Sequence, residues 1–260
     1  MLMPTLRLLS WNVNGLRAAL KKGFAEWMIK DSPDVLCLQE TKVAEDQLPD
    51  LVKSLPGYHS YFASGVRKGR DGLALFSRTA PLAVKSGLEI AGLEDENRAI
   101  VADYGHFLLY NVYFPNGKAS AERLAYKLRF YDLFLEHIDL LRSQGKRIVI
   151  CGDINTAHKE IDLARPRANE KISGFLPQER AWMDRLVEKG FVDTFRIFHP
   201  EADQYSYWDL KSRARDRNVG WRIDYFFVSQ NLVPSVQSAF ILKEVMGADH
   251  CPVGIELNVD

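Results

Sequence analysis

The sequence is poor in cysteine, with only Cys37, Cys151 and Cys251 among 260 residues. The number is odd and each lies beside apolar, strand-like sequence, which argues against a disulfide framework; packed, reduced thiols are expected. Cysteine and histidine do not cluster as a structural zinc site requires. No apolar run reaches the roughly 18 residues of a membrane-spanning helix. Met1 to Leu9 lacks the apolar stretch and small-residue cleavage site of a secretory leader. The expected protein is therefore intracellular with no membrane partner, cytoplasmic in a prokaryote and nuclear in a eukaryote. Net charge is also absent: 34 Lys and Arg balance 34 Asp and Glu, so no global field favours a polyanion. Long linkers, low-complexity segments and strong internal repeats are missing. With 47% hydrophobic residues to build a core, a single domain over residues 1–260 is expected.

The neutral total conceals local asymmetry. Lys211, Arg213, Arg215, Arg217 and Arg222 fall within twelve residues, and Arg67, Lys68 and Arg70 form a second basic group. A basic surface around an acidic centre would bind a polyanion and a cation together. Each charge run, taken alone, could equally be a solvated loop.

Strand-like apolar runs recur at Leu6–Trp11, Val35–Gln39, Leu73–Ser77, Ile100–Asp103, Phe107–Phe114, Ile148–Cys151, Ile223–Ser229 and Pro252–Val259. Between Glu122 and Ser143 the apolar residues Leu124, Leu128, Tyr131, Leu135, Ile138 and Leu141 repeat every three or four positions, which predicts a helix. Ser120 can cap its start and Gly145 its end. Further helices are expected over about Gln178–Lys189 and Phe24–Lys30. Strands interspersed with helices imply mixed sheets with helices outside, an α/β or α+β fold.

Polar residues with chemical potential sit where these runs stop. Asn12 follows the first, Glu40 the second, Tyr113 and Asn116 the fifth, Asp153 and Asn155 the sixth; Asp224 opens another and Asp249-His250 precedes the last. Adjacent strand ends can gather them at one sheet edge. Phosphodiester hydrolysis needs such a set: oxygen ligands for a hard cation, a base or orienter for water, and donors for the charge developing on phosphate. Individually, each has a bland reading. Glu40 could be a solvated strand end, Asp153 a turn-former or helix cap, His250 a core histidine, Asn12 and Asn116 turn residues, and Tyr113 core.

The ordered series is specific where its members are not. It runs Ser10-Trp11-Asn12-Val13-Asn14-Gly15-Leu16-Arg17, Leu38-Gln39-Glu40-Thr41-Lys42, Asn111-Val112-Tyr113-Phe114-Pro115-Asn116-Gly117, Gly152-Asp153-Ile154-Asn155, Gly220-Trp221-Arg222-Ile223-Asp224-Tyr225-Phe226, and Asp249-His250-Cys251-Pro252. From about Leu6 to Leu257 the chain resembles the exonuclease III family of apurinic/apyrimidinic endonucleases. The resemblance implies a four-layered α/β sandwich, with two packed mixed β-sheets flanked by helices, as in deoxyribonuclease I-like proteins. It further implies a Mg²⁺-dependent repair nuclease that hydrolyses the phosphodiester 5′ to an abasic site. Mn²⁺ can stand in for Mg²⁺, and 3′→5′ exonuclease or 3′-repair activity accompanies the incision.

Site roles follow from the resemblance. Glu40 corresponds to the main metal carboxylate, with Asn12 near it and Asp153 and Asn155 bordering the ion; Asp249 is a metal ligand or a structural partner. Asp153 corresponds to the residue that orients or deprotonates water. Asn155 and Asn116 hold phosphate and nucleophile, Tyr113 and His250 face the phosphate, and Asp224 orients His250. Tyr207, Trp221 and Ile223 would receive a flipped-out deoxyribose lacking its base. Arg17, Lys21, Lys22, Lys42 and Lys118 would approach phosphates. The implied partner is duplex DNA with abasic sites or 3′ ends, bound by a monomer. Three positions depart from relatives: Arg70 stands where a ring is often found, Lys211 where an apolar wedge can occur, and Asn14 where some members carry Asp. Two alternatives remain at this level, a phosphatase or sphingomyelinase of the same fold and a DNA-binding protein without activity.

Overall fold

The structure, a computed structural model, describes residues 5–65, 69–93 and 97–259. Arg67 and Lys68 of the second basic group lie outside the described residues. In chain order the elements begin β1 (Thr5–Asn12), α1 (Leu16–Leu20), α2 (Phe24–Asp31), β2 (Val35–Gln39), α3 (Asp50–Lys53), β3 (His59–Ala63), β4 (Leu73–Ser77), β5 (Ala83–Ser86) and β6 (Ala99–Asp103). They continue β7 (Leu108–Tyr113), α4 (Ala121–Ser143), β8 (Ile148–Asp153), α5 (Pro166–Asn169), α6 (Pro177–Glu188), β9 (Phe191–Asp193), α7 (Thr194–Phe198), β10 (Asp224–Ser229), β11 (Val236–Ile241) and β12 (Val253–Asn258).

Two six-stranded sheets result, ordered β11-β12-β1-β2-β4-β3 and β5-β6-β7-β8-β10-β9. Each is mixed. Only β1 with β2 and β7 with β8 run parallel; the other pairs are antiparallel. All eight strands expected from apolar runs are present, and they are the eight central ones. The four edge strands β3, β5, β9 and β11 were not anticipated.

Alternation along each central strand makes the layers. In β1, Leu8 enters the core between the sheets while Leu9 and Trp11 face α1 and α2. In β8, Val149 and Cys151 point between the sheets and Ile148 and Ile150 toward α4 and α6. Strands buried on both faces read as continuous apolar runs, which is why they were visible in sequence. The product is the expected four layers, helix, sheet, sheet, helix. The three cysteines are free and buried, as expected. No helix among the described residues is long and apolar enough to cross a membrane.

The long helix α4 starts as its sequence predicts: Ser120 Oγ accepts from the Arg123 amide at 3.2 Å. Its buried face carries Phe130, Tyr131 and Phe134 against Phe114 and Trp182. The same face presents Lys127, fully buried, whose Nζ donates to Glu179 Oε1 (2.6 Å), the Asn155 carbonyl (2.7 Å) and Thr156 Oγ1 (2.9 Å). Glu179 accepts in addition from Ser173 Oγ and from the amides of Gly174 and Leu176. Such a pair contributes little net stability, but removing one partner strands a buried charge at about 3–5 kcal/mol.

One glycine is indispensable to the register that carries Asp153. Gly152 has φ +131°, and a Cβ there would stand 1.9 Å from the Val112 carbonyl oxygen. That oxygen belongs to the parallel β7–β8 ladder and cannot move without breaking it. Gly152→Ala is expected to destabilise the protein by about 3 kcal/mol or more through overpacking and backbone strain. A melting temperature within a few degrees of wild type would show that the ladder yields at this point.

Candidate active site

The topology explains why the polar residues meet. β1 and β2 are parallel, so Asn12 and Glu40 leave the first sheet at the same edge. β7 and β8 are parallel in the second, delivering Tyr113 opposite Asp153. β10 runs antiparallel to β8 and starts where β8 ends, which places Asp224 opposite Asp153. His250 enters that rim from the loop before β12.

The hydrogen bonds join these residues into one network. Asn12 Nδ2 donates to Glu40 Oε1 and to Asp153 Oδ2, both at 2.9 Å. Asp153 also accepts from the Asn155 amide (2.8 Å) and Asn155 Nδ2 (3.2 Å). Asn116 Nδ2 donates to Asn155 Oδ1 at 2.8 Å. Tyr113 hydrogen-bonds Glu40, while Arg98 donates to the Tyr113 carbonyl at 3.3 Å and stands 5.2 Å from its ring. Asp224 Oδ2 lies 2.8 Å from His250 Nδ1, leaving Nε2 for other contacts. Asp153, Asp224 and His250 bring ligand-capable atoms within 4.8 Å of one another, a cluster that could hold a metal ion.

Two site residues depart from ordinary backbone geometry. Glu40 and Asn155 have φ of 52° and 57°, and neighbouring Asn14 and Lys42 have 46° and 53°. Non-glycine residues rarely adopt this region, and where they do the surrounding bonds must hold them. Here Gly15 N bonds Glu40 O at 2.8 Å and Leu16 N bonds Thr41 O at 2.9 Å.

Burial and charge set the proton affinities. Burial raises Asp153, Asp224 and Glu40 raise it further, and His250 and Asn12 oppose; the result is about 7. Burial alone would lower His250, but the carboxylate of Asp224 overrides it and Asp153 and Asp249 add to the effect, bringing the imidazole to about 10. For Glu40, burial pushes upward but is outweighed by Lys42, Asn12 and Tyr113, so it stays below the ordinary range. Burial and the two nearby carboxylates, Glu40 and Asp153, push the Tyr113 phenol well up, so it keeps its proton. The arrangement offers a carboxylate able to take a proton near neutrality beside an imidazolium able to stabilise negative charge.

Beside this network lies an aromatic cluster. Tyr207 and Trp221 border buried Ile223, Phe175 and Leu163. The Tyr207 ring is 4.8 Å from His250, and Lys118 Nζ stands 5.3 Å over Trp221. Arg17, Lys21, Lys22, Arg70, Lys118 and Lys211 are exposed, as a phosphate-binding surface requires. Three expectations need correction. Arg222 is no part of a basic surface: it is 1% exposed and paired with Asp162 (2.8 Å) and Asp193 (2.6 Å). Arg215 donates to the carbonyls of Lys243 and Val245 and lies 4.6 Å over Trp208, so it ties two loops together. Lys42 turns inward onto Glu40.

Ser206 escaped the sequence reading. It is fully buried, donates to Asp224 Oδ2 at 2.6 Å, and accepts from the amides of Ile223 and Asp224. In sequence the ring of neighbouring Tyr207 draws the attention, and the small hydroxyl beside it is the available signal. Asp249 receives both its bonds from Asn14 Nδ2 at 3.0 Å.

Fold and rim together define a two-sheet α/β sandwich hydrolase whose carboxylates, amides and histidine converge on one edge. Residues 9–250 match the Endonuclease/Exonuclease/phosphatase family. The exodeoxyribonuclease of Bacillus subtilis (strain 168) is 42% identical over 256 residues, covering 98% of this chain and all of that protein. An AP endonuclease from Archaeoglobus fulgidus superposes with a TM-score of 0.88 at 29% identity, over 98% of this chain and 100% of that one. A 3′ phosphatase from Neisseria, bound to a product DNA hairpin, gives 0.89 at 27% identity over 97% and 99%. The chain belongs to the Endonuclease/Exonuclease/phosphatase family, in its exonuclease III branch.

Protonation of His250 is linked to folding. The fold lifts it from an ordinary 6.5 to about 10, so its contribution to stability is complete below pH 6.5 and is lost as pH rises through about 10. Asp153 acts with the same sign from 3.8 to about 7. Above pH 7 the unfolding free energy of wild type should fall toward pH 10, and His250→Asn should flatten that decline in urea titrations. An equal slope in both proteins would remove His250 from the linkage.

Proposed function

We propose that the protein is a DNA-repair nuclease that hydrolyses the phosphodiester 5′ to an abasic site in duplex DNA, with Mg²⁺ as cofactor. The observation that carries this reading is the position of Asp153. It is bonded through Asn12 to Glu40 on one side, lies against the His250–Asp224 pair on the other, and through His250 adjoins the aromatic cluster of Tyr207 and Trp221. An inositol-phosphate phosphatase or sphingomyelinase would need the first two features but not the third.

The donor chemistry suits Mg²⁺. A hard ion takes oxygen ligands, and Glu40, Asn12, Asp153, Asn155 and Asp249 supply them. His250, which keeps its proton to about 10, serves as a donor rather than a ligand. A bound Mg²⁺ supplies Lewis-acid polarisation of the phosphate and stabilises the leaving oxygen.

The remaining work belongs to the chain. Asp153 orients water toward phosphorus and takes its proton. Asn155 and Asn116 fix the water and a phosphate oxygen through their amides. His250 directs Nε2 toward a phosphate oxygen while Asp224 and Ser206 hold its ring, and Tyr113, whose phenolic hydrogen goes to Glu40 in the DNA-free protein, turns it to the same group when the phosphate is seated. Tyr207, Trp221 and Ile223 take the sugar, which a base would prevent from seating. Arg17, Lys21, Lys22, Arg70, Lys118 and Lys211 track the backbone. The same rim can accept a frayed 3′ end, in keeping with the 3′ phosphatase among its structural relatives.

A cleavage screen tests the assignment: duplexes with an abasic analogue, deoxyuridine or a recessed 3′ end, set against inositol phosphates and phospholipid, each with and without chelator. Metal-dependent incision only at the abasic analogue or the 3′ end is expected; turnover of the lipid or sugar phosphates instead would replace this reading.

At saturating Mg²⁺ incision should rise with pH as Asp153 ionises, with a midpoint below the metal-free value of about 7 because the cation favours the carboxylate, and should decline on the alkaline side as His250 loses its proton. Asp153→Asn should keep affinity for abasic duplex while single-turnover incision falls about 10²–10⁴-fold. Loss of binding in step with cleavage would make Asp153 a structural residue only.

A further inference from the structure

Lys42 lies three residues past the end of β2, where a DNA phosphate was expected to meet it. Its Nζ is instead 2.7 Å from Glu40 Oε2, and it also donates to Asn14 Oδ1. Asn14 Nδ2 in turn reaches both oxygens of Asp249. A single ammonium is thus joined directly to one acidic residue and through an amide to another.

The backbone enforces this pose. Residues 40 and 42 both have positive φ, and the turn is pinned by Thr41 N to Gly72 O (3.0 Å) and Lys42 N to Asp71 O (2.9 Å). The tip is nonetheless free to leave: the Lys42 side chain is 33% exposed and that of Glu40 17%. A lysine suits a reversible role better than an arginine, being a compact, strongly hydrated charge on a flexible stem with no planar fork to lock it onto a carboxylate.

We propose that Lys42 is a built-in counter-cation of the metal site, holding Glu40 in place before a divalent ion arrives and competing with that ion for the same carboxylate oxygen. Two cations at contact distance from one oxygen repel, so metal entry moves the ammonium outward. Displaced, the partly exposed Lys42 ammonium is available to a DNA phosphate. Metal loading and DNA engagement then favour each other, and the duplex stabilises the loaded form. This rests on the reading of Glu40 as a metal ligand.

The test is Mn²⁺ binding to the DNA-free protein, followed by electron paramagnetic resonance and calorimetry. Lys42→Met should bind Mn²⁺ about tenfold more tightly than wild type, within the usual range for coupled sites. Lys42→Gln, which keeps a polar tip without the charge, should shift affinity in the same direction. Glu40→Gln should weaken binding in either background. Equal or weaker binding by both Lys42 variants, with Glu40→Gln still impaired, overturns the counter-cation and leaves the ligand intact. Undiminished binding by Glu40→Gln, or no Mn²⁺ binding by any form, overturns the ligand assignment and the inference together.

Discussion

Asn12 holds the site together by donating its amide hydrogens to two carboxylates that come from different sheets. Glu40 directly follows β2 of the first sheet and Asp153 ends β8 of the second. Without a shared donor, two buried or half-buried carboxylates facing each other would each be raised by the other and by loss of water. Asn12 is itself 0% exposed at the end of β1, and its side-chain Oδ1 accepts from the Asn14 backbone amide at 3.0 Å, which fixes the rotation of its amide. The division of properties in the site follows from this. Glu40, with Lys42 and solvent nearby, remains below the ordinary carboxylate range. Asp153, deeper and surrounded by carboxylates, is lifted toward neutrality. Two like residues sharing one amide thus become an anionic anchor and a proton acceptor.

The strained residues crowd around the same point. Asn14, Glu40, Lys42 and Asn155 all occupy the left-handed region, at a cost of order 1–3 kcal/mol each. The surrounding structure over-determines every one. Lys127 Nζ and Thr156 Oγ1 hold the Asn155 carbonyl, Asn12 Oδ1 holds the Asn14 amide, and paired loop amides hold residues 40–42. The buried Lys127–Glu179 pair, poor as a source of net stability, is well placed as a fixture. It connects the Asn155 carbonyl to the loop that carries Phe175, a buried member of the aromatic cluster.

What sequence could reveal divides along a physical line. Strands buried on both faces show as unbroken apolar runs, and all eight were legible. The edge strands are half solvated: His59–Ala63 and Ala83–Ser86 have only one buried residue between them, Ala63. Their pairing is dictated by neighbours distant in sequence, which no local pattern records. The site residues were legible as an ordered set at strand ends, though not as a geometry. The ties that tune them, Ser206 to Asp224, Lys127 to Glu179 and Asn14 to Asp249, span 18, 52 and 235 positions. Arg222 misled for the same reason: its acidic partners are 60 and 29 residues away, and in sequence it resembled one more charge in a basic loop.

The aromatic cluster and the histidine pair are built on one short ladder. Tyr207 bridges to Trp221 on one side and to His250 on the other, and Trp221 bridges onward to Leu163. The next residue back, Ser206, carries the same ladder, its amide bonding Trp221 O at 3.0 Å and its carbonyl receiving Cys251 N at 2.8 Å. Its hydroxyl grips Asp224. Under the proposed function, a side chain that senses a missing base and a side chain that orients the imidazole are adjacent on one extended segment, with alternate residues facing opposite sides. A sugar that presses on Tyr207 and Trp221 therefore bears on the backbone that positions Ser206, Asp224 and His250. Selectivity for a lesion needs no moving part in this arrangement: a misplaced sugar leaves its phosphate misplaced relative to groups that share its scaffold, and reactions of this kind lose rate steeply with sub-ångström to ångström errors of position.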